Sequence, residues 1–428
     1  MYQEHVLENG LRIFLVPLSS FQSISAGIFV RVGSRYESAA EAGVSHFIEH
    51  MLFKGTTNRP SAKIIAETIE GVGGVSNAYT SQEATVYYAK VAAAQAGTAI
   101  NVLADMIRHP LFDPAEFEKE RYVIGEELNM IYDSPDSWAG VLLDQVMWPK
   151  HPLGHNIVGT PESLTSLSRD RLASFFKASY HPQNALIAIG GAFEPAEIVA
   201  ELTALLADWE PVAAPQFDSA PPPQTEARWY IEDRPIEQGH LCLALPGLSR
   251  RDPERYALSM LNAILGEGMS SRLFLNIRED KGLAYAVDSS LNLLQDIGSL
   301  VVYAGVDPKR APEALEAVLA ELDCLRTEPV PPAELHKARE YLKGRLVLGL
   351  EDSFSQAAWV AYQALFMDDI KTPAEVLQAY DAVTANDVLA IAQKVINPAA
   401  YNLAVVGPFG QGEALGKLIG GAPVTADQ

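Results

Sequence analysis

Two parts of the chain repeat each other at an almost constant offset, and this repeat limits the possible folds more than any other feature. Residues 167–193 align without a gap on residues 383–409 at a shift of 216, and residues 85–91 align on 300–306 at a shift of 215. The longer pair has in both copies the pattern of a helix, a proline turn and a buried strand that ends in glycine. Two alignments at nearly one offset predict a duplicated fold with two homologous halves.

A proline-rich segment separates these halves. Residues 211–227 contain five prolines and no periodic apolar pattern, which favours an extended, partly stiff chain. We therefore predict an N-terminal half at 1–210, a linker at 211–227 and a homologous C-terminal half at 228–428.

The alternation of apolar residues indicates the fold class. In the first half, GLRIFLVPL and ISAGIFVRVGS alternate like a pair of strands, and GVSNAYTSQEATVYYAKV has the pattern of a second pair. Segments with helical periodicity lie between and after these pairs. The pattern predicts an α+β fold in which each half is a sandwich of a mostly antiparallel sheet with helices on one face.

The charge balance and the cysteines exclude several classes of protein. The chain has 32 Lys and Arg against 54 Asp and Glu, a formal net charge of −22, whereas nucleic-acid binding needs a basic patch. Cys242 and Cys324 lie in apolar stretches, which indicates reduced core thiols. The N-terminal sequence lacks the pattern of a signal peptide, and no stretch approaches about 20 apolar residues. We expect a cytoplasmic protein that binds neither nucleic acid nor a membrane.

The residues that indicate chemistry are His46, Glu49 and His50, in VSHFIEHMLF. On a helix, positions i and i+4 share a face with i+3 beside them, so both imidazoles and the carboxylate point to one place. Two imidazoles at this spacing can bind zinc, and the order H-x-x-E-H is the inverse of the commoner zincin motif. Glu49 would then be the general base that activates a zinc-bound water. The flanking residues are apolar, so burial of this trio would be costly unless a metal paired it.

A third zinc ligand must come from another segment, because a catalytic zinc usually has three protein ligands and one open position. The segment ERYVIGEELNMIYD offers Glu120, Glu126 and Glu127. Glu120 and Glu127 are two helical turns apart and share one face. The spacing alone does not choose among the three acids, and a run of this kind most often forms a solvated helix face.

HFIEH followed by ERYVIGEEL, with 76 residues between His50 and Glu127, resembles the insulinase/pitrilysin family of zinc metallopeptidases. The chain is most similar to the short-chain branch that includes the mitochondrial processing peptidases. The resemblance implies a clamshell of two halves, Glu127 as the third ligand, and Glu120 as an auxiliary acid hydrogen-bonded near the metal. It extends over nearly the whole chain through GLRIFLVP, NAYTSQEATVYY, HPLGHNIVGT and SSRLFLNIREDKGLAYAV.

The resemblance also implies roles for residues that bind substrate. Arg278 and Tyr285 match an Arg and a Tyr that reach the active site, where Tyr285 would stabilise the oxyanion or hold the substrate carbonyl and Arg278 would support the substrate backbone. Asn77, Ala78 and Tyr79 resemble an edge strand that pairs with an extended peptide through backbone groups. Without the resemblance, an ordinary edge strand is an equally good interpretation of the last three.

The repeat predicts how many metal ions one chain binds. A shift of 216 puts Asn262, Leu265 and Gly266 at the positions of His46, Glu49 and His50. Because leucine and glycine side chains supply no ligand, the C-terminal half should lack a zinc site, and we expect one Zn²⁺ per chain.

The leading hypothesis is a zinc-dependent endopeptidase that cleaves unfolded peptides or presequence-like segments. The resemblance implies that two chains pair, and because this chain carries both the zinc motif and the Arg/Tyr motif, we expect a homodimer. A heterodimer with a related chain is the alternative. The competing function is that of a non-catalytic or partner-dependent subunit of a processing-peptidase-like complex. Hydrolysis of non-peptide amides is a further alternative, which the substrate-strand motif disfavours.

Overall fold

The computed structural model describes residues 2–213, 215–410 and 413–424, so residue 214 of the predicted linker lies outside the described residues. Within these ranges the chain forms twelve strands and fifteen α-helices. The strands, β1 to β12 in chain order, are Gln3–Val6, Arg12–Pro17, Ser23–Val30, Val75–Thr80, Thr85–Ala92, Ala185–Gly191, Arg228–Asp233, Gly239–Gly247, Ala284–Leu293, Gly298–Val306, Asn402–Gly407 and Ala422–Pro423. The helices, α1 to α15, are Val44–Leu52, Ala62–Glu70, Ala96–Arg108, Pro114–Asp133, Pro135–Met147, Pro161–Ser166, Arg169–Ser179, Pro195–Leu206, Arg255–Leu265, Ala311–Thr327, Pro332–Gly349, Ser353–Phe366, Pro373–Ala382, Ala385–Val395 and Glu413–Ile419. A π-helical segment spans Phe274–Asp280.

Six strands form the first sheet in the order β1-β2-β6-β3-β5-β4. Strands β2 and β6 run parallel, and the other four neighbouring pairs are antiparallel. The second predicted strand pair is confirmed, because β4 pairs with β5 and places Ala78 opposite Tyr87. The first predicted pair is wrong, because β6 lies between β2 and β3 and bonds to both. Apolar periodicity identifies buried strands but carries no information on which strand lies beside which.

The second sheet has the order β12-β7-β11-β8-β10-β9. Strand β7 runs parallel to β11 and to β12, and the other three pairs are antiparallel. The two mostly antiparallel sheets with their helices confirm the predicted α+β class. The repeated elements also coincide, since α7 begins at Arg169 and α14 begins at Ala385, 216 residues later.

The four inner strands of the first sheet, β2, β6, β3 and β5, are mostly buried on both faces, and helices cover each face. Strand β6 is buried along its whole length. A strand that is buried on both faces needs packing partners on both faces, whereas a strand with alternating exposure needs them on one face only. Helices α3 and α8 lie on one side, against residues that include Ile187 and Ile189. Helix α12 packs on the other side, where Ala357 and Val360 meet Phe14 and Phe29. A helical layer thus covers one face, as predicted, and α12 covers the opposite face in addition.

The chain divides into two compact units, and each contains a helix from the other half of the sequence. The first unit comprises Met1–Asn129, His155–Asp218 and Leu348–Lys371, and the second comprises Met130–Gly154, Ser219–Val347 and Thr372–Gln428. Helix α12 therefore belongs to the first unit. Helix α5 belongs to the second, where Leu142 and Leu143 pack with the buried residues of β8 and β11. The predicted linker separates the strands of the two sheets, and the two exchanged helices depart from the simple division into halves.

None of the helices in the described residues combines the length and the apolar character that crossing a membrane requires.

Candidate metal centre

The position of α1 is fixed by the residues just before it. Gly43 caps the helix with a φ of +90°, and a Cβ there would lie 2.5 Å from the carbonyl oxygen of Val158. The carboxylate of Glu37 accepts hydrogen bonds from the backbone N–H groups of Gly43, at 2.7 Å, and Ser45, at 2.8 Å. These donors would otherwise be unpaired at the helix N-terminus. The buried side chain of Glu37 thereby fixes the start of the helix that carries the H-x-x-E-H motif.

Three ligand atoms converge between α1 and α4. The Nε2 atoms of His46 and His50 lie 3.7 Å and 3.5 Å from Oε2 of Glu127. The two imidazole rings are tilted against each other with their centroids 4.6 Å apart. One ligand atom from each of the three residues lies within 4.8 Å of the others, and among the described residues this is the one group of three or more such side chains.

These spacings fit a tetrahedral zinc ion. With zinc–nitrogen bonds of about 2.0–2.1 Å, tetrahedral ligand atoms lie about 3.3–3.4 Å apart. The nitrogen–oxygen separations of 3.7 Å and 3.5 Å are close to that value and long for a hydrogen bond. Two imidazoles and a carboxylate are also the donor set of a catalytic zinc site that keeps a fourth position open. His46, His50 and Glu127 would hold the metal.

The protonation of the two histidines differs because their surroundings differ. Burial lowers the pKa of His46 to about 4, and the neighbouring His50 acts in the same direction. Charge from Glu127 acts in the opposite direction without outweighing burial, and the buried Nδ1 of His46 has no hydrogen-bond partner among the described residues. Burial would also lower the pKa of His50, but the nearby carboxylates of Glu127 and Glu120 outweigh it and raise that pKa. A histidine must be neutral to bind a metal, so the low pKa of His46 favours its ligand form, while the raised pKa of His50 makes metal binding there more sensitive to acid.

Glu49 lies beside this group on α1 and has its own partner. Oγ1 of Thr80, the last residue of β4, donates a hydrogen bond of 2.5 Å to Oε2 of Glu49. Burial raises the pKa of Glu49, and the bond from Thr80 opposes that shift. The spacing of the motif gave Glu49 its place but no partner, because Thr80 is 31 residues away in the chain.

Glu120 occupies a buried position behind His50. Its Oε2 lies 3.0 Å from Nδ1 of His50, and its Oε1 lies 2.7 Å from Nζ of Lys54. An acceptor on Nδ1 keeps the proton of a neutral imidazole there and leaves the lone pair of Nε2 for a metal. Glu120 therefore lies within hydrogen-bond distance of a candidate ligand, and its role as an auxiliary acid stays a prediction.

Helix α4 decides among the three acids of ERYVIGEELNMIYD. Glu120 is buried on the side that faces α1, and Glu127, two turns later, is half-buried there. Glu126 is exposed to solvent on another side of the helix. The shared face of Glu120 and Glu127 follows from their spacing, whereas the side that turns toward α1 follows from packing.

The predicted substrate strand is β4, at the edge of the first sheet. Asn77, Ala78 and Tyr79 lie opposite Tyr88, Tyr87 and Val86 of β5, which leaves the other edge of β4 without a neighbouring strand in this sheet. The side-chain oxygen of Asn77 accepts a bond of 2.8 Å from the N–H of Ala78. The hydroxyl of Tyr79 is held at 2.9 Å by that of Tyr362 on α12. Substrate binding at this strand stays a prediction.

Arg278 and Tyr285 lie in the second unit and contact each other. The Arg278 guanidinium lies 5.6 Å from the centre of the Tyr285 ring and 4.8 Å from that of Phe274. Arg278 belongs to the π-helical segment, a rare element that is frequent at functional sites. Tyr285 is 76 % exposed at the start of β9. Their roles in catalysis and substrate binding stay predictions.

Comparison with known proteins decides the family. The family model for insulinase (peptidase family M16) matches residues 14–161, and the model for the peptidase M16 inactive domain matches residues 166–342. An uncharacterized zinc protease of Bacillus subtilis is 35 % identical over 410 residues, which cover 96 % of this chain and 99 % of that protein. The chain belongs to the insulinase family of metallopeptidases. A second family relative, an uncharacterized zinc protease of Mycobacterium leprae, is 35 % identical over 96 % of this chain and 92 % of its own length.

The fold agrees with membership of the insulinase family. The crystal structure of a protease from Helicobacter pylori superimposes with a TM-score of 0.91 and 24 % identity, over 95 % of this chain and 99 % of that one. The insulinase match contains His46, Glu49, His50, Glu120 and Glu127, and the inactive-domain match contains Arg278 and Tyr285. This division agrees with the candidate metal centre, whose three converging side chains all come from the first half of the sequence.

Proposed function

We propose that this chain is a zinc-dependent endopeptidase that cleaves unfolded peptides or presequence-like segments. The observation that carries the proposal is the convergence of His46, His50 and Glu127, with Glu49 beside them. Membership of a family whose relatives are named zinc proteases supports the same chemistry.

Each residue of the site has a separate role in peptide hydrolysis. Zinc in such a site polarises a carbonyl and lowers the pKa of water. Glu49 accepts a proton from the attacking water and returns it to the leaving amine, as a general base and then a general acid. Thr80 holds the carboxylate of Glu49 through its hydrogen bond of 2.5 Å. Glu120 fixes the ring of His50 from its other nitrogen.

An extended peptide would bind along β4. Backbone pairing at an edge strand is independent of most side chains, which suits unfolded substrates of varied sequence. The N–H of Ala78 is bonded to the side chain of Asn77, and a substrate carbonyl would replace that internal acceptor. Tyr285 would stabilise the oxyanion and Arg278 would support the substrate backbone.

The decisive test compares the wild type with Glu49→Gln, using zinc content and cleavage of an internally quenched peptide. Removal of a general base lowers the rate by about 10²–10⁴-fold. We expect the variant to retain its zinc and lose cleavage. Glu126→Gln is the matched control, because Glu126 is an exposed acid on α4, and it should retain both properties. Equal cleavage by wild type and Glu49→Gln would refute the mechanism.

We propose that the active form is a homodimer, since one chain carries both motifs. Measurement of the solution mass together with peptidase activity tests this. A monomer with full activity would refute the dimer. A zinc-loaded wild type without activity on any peptide would favour the non-catalytic or partner-dependent subunit.

A further inference from the structure

Glu120 is a buried carboxylate with two partners, and only one of them belongs to the metal centre. One oxygen meets His50, and the other meets Nζ of Lys54 at 2.7 Å. The Glu120 side chain is 5 % exposed and that of Lys54 is 26 % exposed. An exposed ion pair contributes little to stability. Removing one partner of a buried carboxylate, in contrast, is strongly destabilising.

Lys54 is held in place by the backbone on both sides of it. Its N–H donates to the carbonyl of Met51 at the end of α1. After it, the carbonyl of Gly55 accepts a bond of 3.0 Å from the N–H of Leu111. The backbone on both sides of the lysine is therefore held by hydrogen bonds.

A buried aspartate fastens the segment that follows Lys54. Thr56 Oγ1, Asn58 Nδ2 and Arg59 Nη1 donate bonds of 2.6, 2.7 and 2.6 Å to the carboxylate of Asp105 on α3. The Asp105 side chain is 4 % exposed. Three donors on one buried acid tie residues 56–59, just after Lys54, to α3.

The contact with Lys54 matters because Glu120 has few alternatives. Without Lys54, the buried carboxylate of Glu120 would keep only His50 as a partner among the described residues.

We propose that Lys54 is a positioning residue of the metal centre, which acts through Glu120 on His50. Its ammonium group orients the carboxylate so that Nδ1 of His50 keeps its proton and Nε2 keeps its lone pair for the metal. Loss of a nearby cation would in itself favour zinc. That effect is weak, because Lys54 is partly exposed and its field is screened by water beyond the direct contact. Loss of orientation is therefore the larger effect.

The test measures zinc affinity of the full chain by competition with a chromogenic chelator. Loss of a group that supports a metal ligand lowers metal affinity by about 10–100-fold, so we expect Lys54→Met to bind zinc about tenfold more weakly than wild type. Lys54→Arg keeps the charge and should recover most of the affinity. Lys63→Met is the matched control, since Lys63 is 78 % exposed and pairs with Glu67 on α2, and it should bind as wild type does.

A double variant separates an effect through Glu120 from a general loss of structure. If Lys54 acts through Glu120, then Lys54→Met adds nothing to Glu120→Gln, whereas independent effects would add. The proposal is overturned if Lys54→Met binds zinc within about twofold of wild type, if Lys54→Arg is as weak as Lys54→Met, or if the effects add fully. The inference rests on the proposed zinc site and needs no peptidase activity. A wild type that binds no zinc would refute the proposed function itself.

Discussion

Thr80 connects the edge strand β4 to the proposed general base, and replacing it by valine isolates that connection. Valine has the same branched shape as threonine and suits a strand, so Thr80→Val removes little more than the hydroxyl group. The donor to Oε2 of Glu49 is lost, while α1 and the ligands are untouched.

The size of the effect follows from the bond. A hydrogen bond to a charged group contributes about 1.5–3 kcal/mol, and Glu49 is half-buried, so water can replace part of the loss. We take about 1.5 kcal/mol, which is about a tenfold change in the balance between the two protonation states of Glu49.

The sign follows from which form the bond favours. Thr80 stabilises the ionised carboxylate, so its loss raises the pKa of Glu49 further in the direction that burial already sets. A general base must be ionised, so activity is lost as pH falls through its pKa. The acidic limb of the profile should therefore move to higher pH, with a loss of about tenfold in kcat/KM on that limb and little change on the plateau.

The assay is kcat/KM against pH for cleavage of an internally quenched peptide by wild type, Thr80→Val and Thr80→Ser. Serine retains a hydroxyl donor and should keep the limb near its wild-type position. Thr68→Val is the control, because the Thr68 hydroxyl bonds to a backbone carbonyl on α2 and not to the site. A Thr80→Val profile that superimposes on the wild type would refute the reasoning, as would a Thr80→Ser profile displaced equally far.

Three further predictions concern stability. Zinc at about 100 times its Kd should stabilise the wild type by about 2.7 kcal/mol, measured as a higher Tm. This gain in stability should vanish in Glu127→Gln. It should also shrink at low pH, because protonated His50 cannot bind a metal. Asp105→Asn should lower the free energy of unfolding by about 3 kcal/mol in urea titrations, because Arg59 loses a buried partner; an unchanged midpoint would contradict this. Burial raises the pKa of Asp144 to about 7, so its contribution to stability is lost as pH rises from about 4 to 7. Asp144→Asn should therefore gain about 2–4 kcal/mol over wild type across that range, whereas the exposed Asp133→Asn should not.

The metal centre could largely be predicted because its pattern is local. His46, Glu49 and His50 lie within one turn and a half of α1, so the helical period alone brings them together. The helical period alone does not choose Glu127 over Glu126 as the third ligand. Both lie on α4, and only the packing of that helix against α1 turns one toward the histidines and the other to solvent.

The partners that tune the site could not be predicted from the pattern. Thr80 lies within NAYTSQEATVYY and Lys54 directly follows VSHFIEHMLF, yet their acceptors lie 31 and 66 residues away in the chain. The order of the strands and the exchange of α5 and α12 between the two units also depend on contacts between residues that are far apart in the chain. Periodicity says which face of an element is buried and leaves open what covers it.

The duplicated second unit shows a different solution to the same physical problem. Asn262, at the repeat position of His46, is fully buried, and its amide accepts from Ser289 Oγ at 2.7 Å and donates to Glu267 at 2.6 Å. Both ends of that polar side chain are therefore satisfied by its own unit. The Nε2 of His46 lies beyond hydrogen-bond distance of Glu127, and a metal ion held between them would satisfy both atoms. Burial of polar groups is costly unless they are paired, so a metal in the first unit would do what hydrogen bonds do in the second.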